Sequence, residues 1–224
     1  HIGLIGGIGP AATDYYYRKI SAAYAESGLV LELTIAHADA PTLLRNLQND
    51  DRKSQVEIYM RLTNRLKIAG ADFVAITSIA GHFCIEEFKD KSPLPVIDLI
   101  GAVQEEVELK GFSRLGILGT EKVMSSEFYG TLGKVKVVTP SPSLLANVHA
   151  AYVAVASSGL VTVPQRETFN AACTELIEDF GVDAVLMGGT DLALVYDEET
   201  AVFPIVDCAA IHSRKVVAVS YQKG

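Results

Sequence analysis

Short apolar runs with little alternation recur along the chain, at residues 2–5, 31–36, 73–76, 96–99, 115–118, 135–139, 184–187 and 205–206. Runs of this kind predict strands covered on both faces, as in parallel sheets. The segments between them carry apolar residues at helical spacing. Residues 11–27 place Tyr15, Ile20, Ala23 and Tyr24 on one face, and residues 50–69 place Val56, Tyr59, Met60, Leu62 and Leu66 there, with Arg and Lys opposite. Residues 85–89, 101–110, 125–131, 143–158 and 164–180 continue the alternation, which predicts an α/β architecture. Gly70 and Gly181 stand where a helix must stop before a strand.

The pattern also repeats itself. His1-Ile2-Gly3-Leu4-Ile5-Gly6-Gly7 returns as Arg114-Leu115-Gly116-Ile117-Leu118-Gly119-Thr120. The block from Gly70 to Ser78 returns from Gly181 to Gly189, and Leu94-Pro95-Val96-Ile97-Asp98 returns as Phe203-Pro204-Ile205-Val206-Asp207. The offsets are 113, 111 and 109 residues, in order. Two pseudo-symmetric lobes follow, each a mostly parallel sheet flanked by helices, with the site in the cleft between them. The expected boundaries are 1–98 plus 204–224 for the N-terminal lobe and 99–203 for the C-terminal lobe. Ligands of open α/β sheets bind at the carboxyl ends of strands, which directs attention to residues 6–13, 36–45, 77–82, 119–124, 188–191 and 207–212.

Composition narrows the function classes. The 224 residues are 49% hydrophobic, with a mean hydropathy of +0.26, enough for a substantial core. A net charge of −8 argues against a nucleic-acid surface, which needs a basic patch. Apolar runs fall well short of the roughly 20 residues of a membrane span, and the first residues do not read as a signal peptide. A cytoplasmic location is the expectation. Three cysteines, Cys84, Cys173 and Cys208, do not read as a disulfide framework. The histidines show no paired metal-ligand spacing, so no metal is expected.

Several constellations carry candidate chemistry. Gly6-Gly7-Ile8-Gly9-Pro10 follows the first strand and opens a helix, where backbone N–H groups can hold an anion; tight-turn glycines explain it equally well. Thr77-Ser78-Ile79-Ala80-Gly81-His82 follows the strand at 73–76. Ser78 and His82 form a nucleophile–base pair or, alternatively, an N-cap serine with a structural histidine. Gly188-Gly189-Thr190-Asp191 occupies the matching place, either holding a carboxylate or forming an ordinary strand-to-helix turn. Arg45 is a candidate partner for a substrate carboxylate or a solvated surface residue.

These residues together resemble the aspartate/glutamate racemase family. Residues 2–10 are similar to its opening G-L-I-G-G-M-G/S segment, with Ile8 in place of Met. Residues 70–82 resemble its first catalytic block, 115–129 its L-L-G-T block with Met124, Phe128 and Tyr129, 181–192 its second catalytic block, and 204–212 its P-V-F-D-T-T-A-I-H ending. The resemblance implies cofactor-independent racemisation of an acidic amino acid, a homodimer, and two thiols that exchange the α-proton from opposite faces. Thiols serve because thiolate is a usable base near neutral pH. Carried over residue by residue, Ser78 stands at the first acid/base position and Gly189 at the second, where the second cysteine is missing. Ile8, Gly9, Ile79, Ala80, Thr190 and Asp191 stand at substrate-binding positions, with His82 and His212 in support. Ile79 and Ala80 replace Asn and Thr, and Asp191 replaces Glu.

Three functions fit this pattern. One is a racemase-type isomerase acting on a small carboxylate or amino acid with altered catalytic residues. Another is a lyase, isomerase or hydrolase using different chemistry on the same fold. The third is a non-catalytic small-carboxylate-binding protein.

Overall fold

A computed structural model describes residues 1–196 and 201–222. Residues 197–200, in the expected C-terminal lobe, and 223–224, in the expected return segment, lie outside the described residues. The chain divides into two compact units. The first comprises His1–Leu99 and the segment from Ala210 onward, and the second comprises Ile100–Ala209.

The first unit holds β1 (Ile2–Gly6), α1 (Pro10–Ser27), β2 (Leu33–His37), α2 (Ala40–Gln48), α3 (Arg52–Ile68), β3 (Phe73–Ile76), α4 (Ile85–Lys91), β4 (Val96–Ile97) and the return helix α9 (Cys208–Tyr221). Its four strands are parallel in the order β2-β1-β3-β4. The second unit holds α5 (Leu99–Lys110), β5 (Arg114–Gly119), α6 (Glu121–Ser125), β6 (Lys136–Val138), α7 (Pro142–Ser158), α8 (Val163–Thr174), β7 (Ala184–Gly188) and β8 (Ile205–Asp207). Its sheet is also parallel, in the order β6-β5-β7-β8. The same strand order in both units matches the repeat of sequence blocks.

Each unalternated run contains a strand, and β1, β3, β7 and β8 are buried along their whole length as expected, whereas β4 and β6 are only partly buried. The edge strand β2 is half-buried and carries the more mixed sequence. Helix starts follow local chemistry. Asp39 caps α2 by accepting from Thr42 N at 3.0 Å, and Asp51 caps α3 through Ser54 N at 3.0 Å. Thr162 and Gln165 form a capping box at α8.

Three expectations need correction. The return segment was placed with the first lobe from residue 204, but β8 pairs with β7 and the crossing comes only after Ala209. Helix α2 replaces an expected loop. The expected helix over 125–131 is broken: α6 ends at Ser125, and Glu127, Phe128 and Tyr129 take left-handed φ values of 52°, 59° and 60°. Such backbone costs about 1–2 kcal/mol per residue. Complete burial of Phe128 offsets it, together with bonds from Tyr129 N to Ser126 Oγ (3.0 Å) and from Thr131 Oγ1 to the Phe128 carbonyl (2.7 Å).

Candidate functional site

In a parallel sheet the loops after two adjacent strands whose connections leave in opposite directions frame a natural ligand position. In the first lobe those strands are β1 and β3; in the second they are β5 and β7. Every acid/base position expected from sequence falls on one of these loops.

In the first lobe β1 turns through Gly7 and Gly9 into α1. Gly7 has φ 148°, and a Cβ there would overlap the Ala38 carbonyl; Gly9 has φ 73°. These glycines are needed for the turn itself, as Cβ-bearing residues rarely adopt this backbone. Ile8, expected at the substrate, is 3% exposed and packs into the core. The β1 and β3 ends are tied together: Thr77 Oγ1 donates to the Ile5 carbonyl at 3.3 Å and lies 2.9 Å from Thr13 Oγ1. Ser78 follows, 3% exposed, and its Oγ is buried without a hydrogen-bond partner among the described residues. Ile79 and Ala80 are fully buried at the start of a 3-10 turn, Ala80–Cys84. That turn is braced from below by a relay in which Asn46 donates to Gln55, Gln55 to the Tyr59 hydroxyl, and Tyr59 to the Gly81 carbonyl.

The Ser78–His82 pairing does not form a nucleophile and base. The His82 ring meets the Ser78 carbonyl at 2.6 Å through Nδ1, not the hydroxyl. A carbonyl only accepts, so Nδ1 carries the proton, and Nε2 accepts from Leu99 N at 3.4 Å. Burial pushes the His82 pKa down. His212 is held in the same way: Nε2 donates to the Ile97 carbonyl (2.9 Å), and Nδ1 accepts from the Tyr16 hydroxyl (2.8 Å). Burial first, and the neighbouring His82 second, push it down to about 3. Both rings are neutral struts. Arg45 is exposed on α2 and donates to Thr42 Oγ1 at 3.2 Å, which places it with the helix cap.

In the second lobe β7 ends at Gly188. A Cβ at Gly119 or Gly188 would press on the neighbouring strand's carbonyl, so the β5 and β7 ends approach closely. Gly189 is extended (φ −142°, ψ 118°), a backbone any residue adopts. Space decides there: a Cβ would overlap Cε2 of Tyr152 and lie 2.7 Å from its Cζ. Tyr152, from α7, is 1% exposed and donates its hydroxyl to Asp191 Oδ2 at 3.1 Å. Thr190 is 1% exposed, beside Tyr152; its hydroxyl eases the phenol's pKa, yet closes no hydrogen bond of good geometry. Tyr152 was not foreseen. Its signal was indirect, the bare backbone at 189 that another side chain must fill.

A match to the Asp/Glu/Hydantoin racemase family spans residues 5–216. The chain belongs to this family. A protein assigned as an Asp/Glu racemase from Yersinia pestis is similar in fold, with a TM-score of 0.82, 23% identity and 99% of each chain covered. An aspartate racemase homologue from Pyrococcus horikoshii gives 0.81 at 25% identity over 98% of each chain. The glutamate racemase of Francisella tularensis, solved with D-glutamate, gives 0.70 at 12% identity, covering 99% of this chain and 81% of that one.

The three cysteines are free and buried. Cys84 and Cys173 are buried and pushed up to about 12, and Cys208 is pushed up further by complete burial. All three are expected to resist a disulfide reagent at pH 8 in the native state and to react together once the chain is unfolded. Rapid labelling of Cys84 in the native protein would contradict this. Among the described residues no helix is long and apolar enough to cross a membrane, and no group of three His, Cys, Asp or Glu side chains is placed to hold a metal ion.

Proposed function

We propose that this racemase-family chain takes a small carboxylate, in the first instance an acidic amino acid, at the strand end carrying Ser78, and binds it without two-thiol racemisation. The observation that carries the reading is Ser78 Oγ: a buried hydroxyl left without a partner is costly unless a ligand supplies one. It sits after β3, beside the turn that opens α1, whose amino end carries partial positive charge suited to an anion. Proton abstraction is poorly served. An alcohol needs an adjacent base to act as one, and both ring nitrogens of His82 are already engaged.

A second reading, an isomerase or lyase with one working centre, rests on the same buried, unpartnered hydroxyl meeting a substrate that brings its own activating group. The two readings separate in one experiment. Thermal denaturation with aspartate and glutamate, of either hand, is expected to show stabilisation of about 2.7 kcal/mol at 100 times Kd, lost in Ser78→Ala. In deuterated water the α-proton of the bound ligand is expected to remain. Exchange that disappears with Ser78→Ala would establish the isomerase reading, and absence of any ligand-dependent shift would sink the carboxylate site.

A further inference from the structure

Three buried polar side chains of the first unit form one directed chain. Asn46 Nδ2 of α2 donates to Gln55 Oε1 at 3.0 Å, Gln55 Nε2 of α3 to the Tyr59 hydroxyl at 2.7 Å, and that hydroxyl to the Gly81 carbonyl at 3.1 Å. All three side chains belong to residues 6% exposed or less. Holding α2 against α3 does not require them, since apolar groups of the same shape can replace a buried hydrogen-bonded pair at little cost in stability. What a satisfied polar chain adds is a single fixed arrangement. This one ends on the backbone of a turn. Gly81 lies inside the 3-10 turn Ala80–Cys84, and a Cβ there would overlap the Tyr59 hydroxyl. The turn is therefore drawn against α3 at that carbonyl.

Ser78 is gripped on both sides. Before it, Thr77 Oγ1 donates to the Ile5 carbonyl and meets Thr13 Oγ1. After it, the turn carries His82, whose Nδ1 holds the Ser78 carbonyl at 2.6 Å. A serine hydroxyl at a turn commonly bonds to a neighbouring backbone group, yet Ser78 Oγ, although buried, has no partner among the described residues. We infer that Tyr59 is a positioning residue of the Ser78 site: through Gly81 and His82 it fixes the backbone so that the serine hydroxyl stays unpaired until a ligand supplies an acceptor. This rests on the carboxylate reading of Ser78 above. In Tyr59→Phe the ring keeps its place against Phe88, at 5.3 Å between centroids, while the donor to Gly81 is withdrawn. The turn then relaxes, and Ser78 Oγ closes a bond within its own chain.

The test is a cycle of four full-length proteins, native, Ser78→Ala, Tyr59→Phe and the double variant, unfolded in urea without ligand. In the native background Ser78→Ala removes a buried, unsatisfied hydroxyl and is expected to raise the folding constant about fivefold or more. In the Tyr59→Phe background the hydroxyl has found a partner, so the same substitution is expected to leave the folding constant unchanged or to lower it. A merely structural tyrosine would not alter the effect of Ser78→Ala, and an equal gain in both backgrounds overturns the inference. Calorimetric titration with aspartate completes the test: Tyr59→Phe is expected to bind about tenfold more weakly than the native protein, the worth of one hydrogen bond to a buried polar group. Unchanged affinity in Tyr59→Phe overturns the inference and leaves the carboxylate site standing. A native protein that binds no aspartate, with the coupling in urea present, overturns the carboxylate site and supports the hold of Tyr59 on the Ser78 hydroxyl.

Discussion

A cysteine introduced at position 189 is expected to destabilise the protein by about 3 kcal/mol or more, and not to recreate a racemase centre. The backbone is no obstacle, since φ −142° and ψ 118° suit any L-residue. The obstacle is the Tyr152 ring, 1% exposed and fixed at its far end by Asp191. Overpacking a filled core costs about 1–3 kcal/mol, and more where the neighbour cannot move. For a chain of this size that corresponds to a fall in Tm of roughly 6–12 °C. Tyr152→Ala alone is expected to cost about 3–5 kcal/mol by opening a cavity. In that background Gly189→Cys should add little or even recover stability. The double-mutant coupling is then 2 kcal/mol or more, well above the ~0.5 kcal/mol scatter of independent sites. Urea denaturation of the four proteins measures it; an equal penalty for Gly189→Cys in both backgrounds would show that Tyr152 is not what excludes the side chain.

Acidification from pH 7 to pH 5 is expected to remove about 2 kcal/mol of stability through His212 alone. The folded-state pKa is held at about 3 by burial, whereas the unfolded chain titrates near 6.5. Between those values the unfolded state binds a proton that the folded state refuses. The contribution is therefore complete above about 6.5 and is lost as the pH drops, about 4 kcal/mol of it by pH 3. His82 is shifted in the same direction by the same cause and steepens the loss. The depressed carboxylates Asp39, Asp51 and Asp183 act in the same direction only below pH 4, so the upper window isolates the histidines. Urea midpoints at half-unit intervals should slope downward from 6.5, and His212→Gln, although weaker at pH 7, should slope less. A flat native profile between pH 7 and 5 would refute the neutral-strut assignment.

What the sequence revealed and what it hid divide along physical lines. Strands such as β1, β3 and β7 were legible because burial on both faces leaves its mark in every residue. The repeat was legible because the same strand order was written twice. Helix α2 was missed: Asp39 and Pro41, read as loop residues, are its cap and first turn. The left-handed turn at Glu127–Tyr129 defeated a periodicity argument, as no glycine or asparagine among those three residues announced it. Ser78 follows β3 as the sequence pattern predicts, and of the two readings open for His82 the structural one holds, since spacing places a ring near a residue without saying whether it meets the hydroxyl or the carbonyl. Tyr152 lay beyond any local pattern, because its meaning depends on a glycine in a different element.

The return helix α9 gives the molecule an order of assembly. Everything the second unit needs lies in one uninterrupted stretch, Ile100–Ala209. The first unit does not have this property: His212, from α9, supplies the bonds that tie Tyr16 of α1 to Ile97 of β4. During synthesis the amino-terminal sheet emerges first yet waits for a strut encoded more than a hundred residues later. A polypeptide ending at residue 209 would carry every residue of the second unit yet leave the first without its last buried histidine.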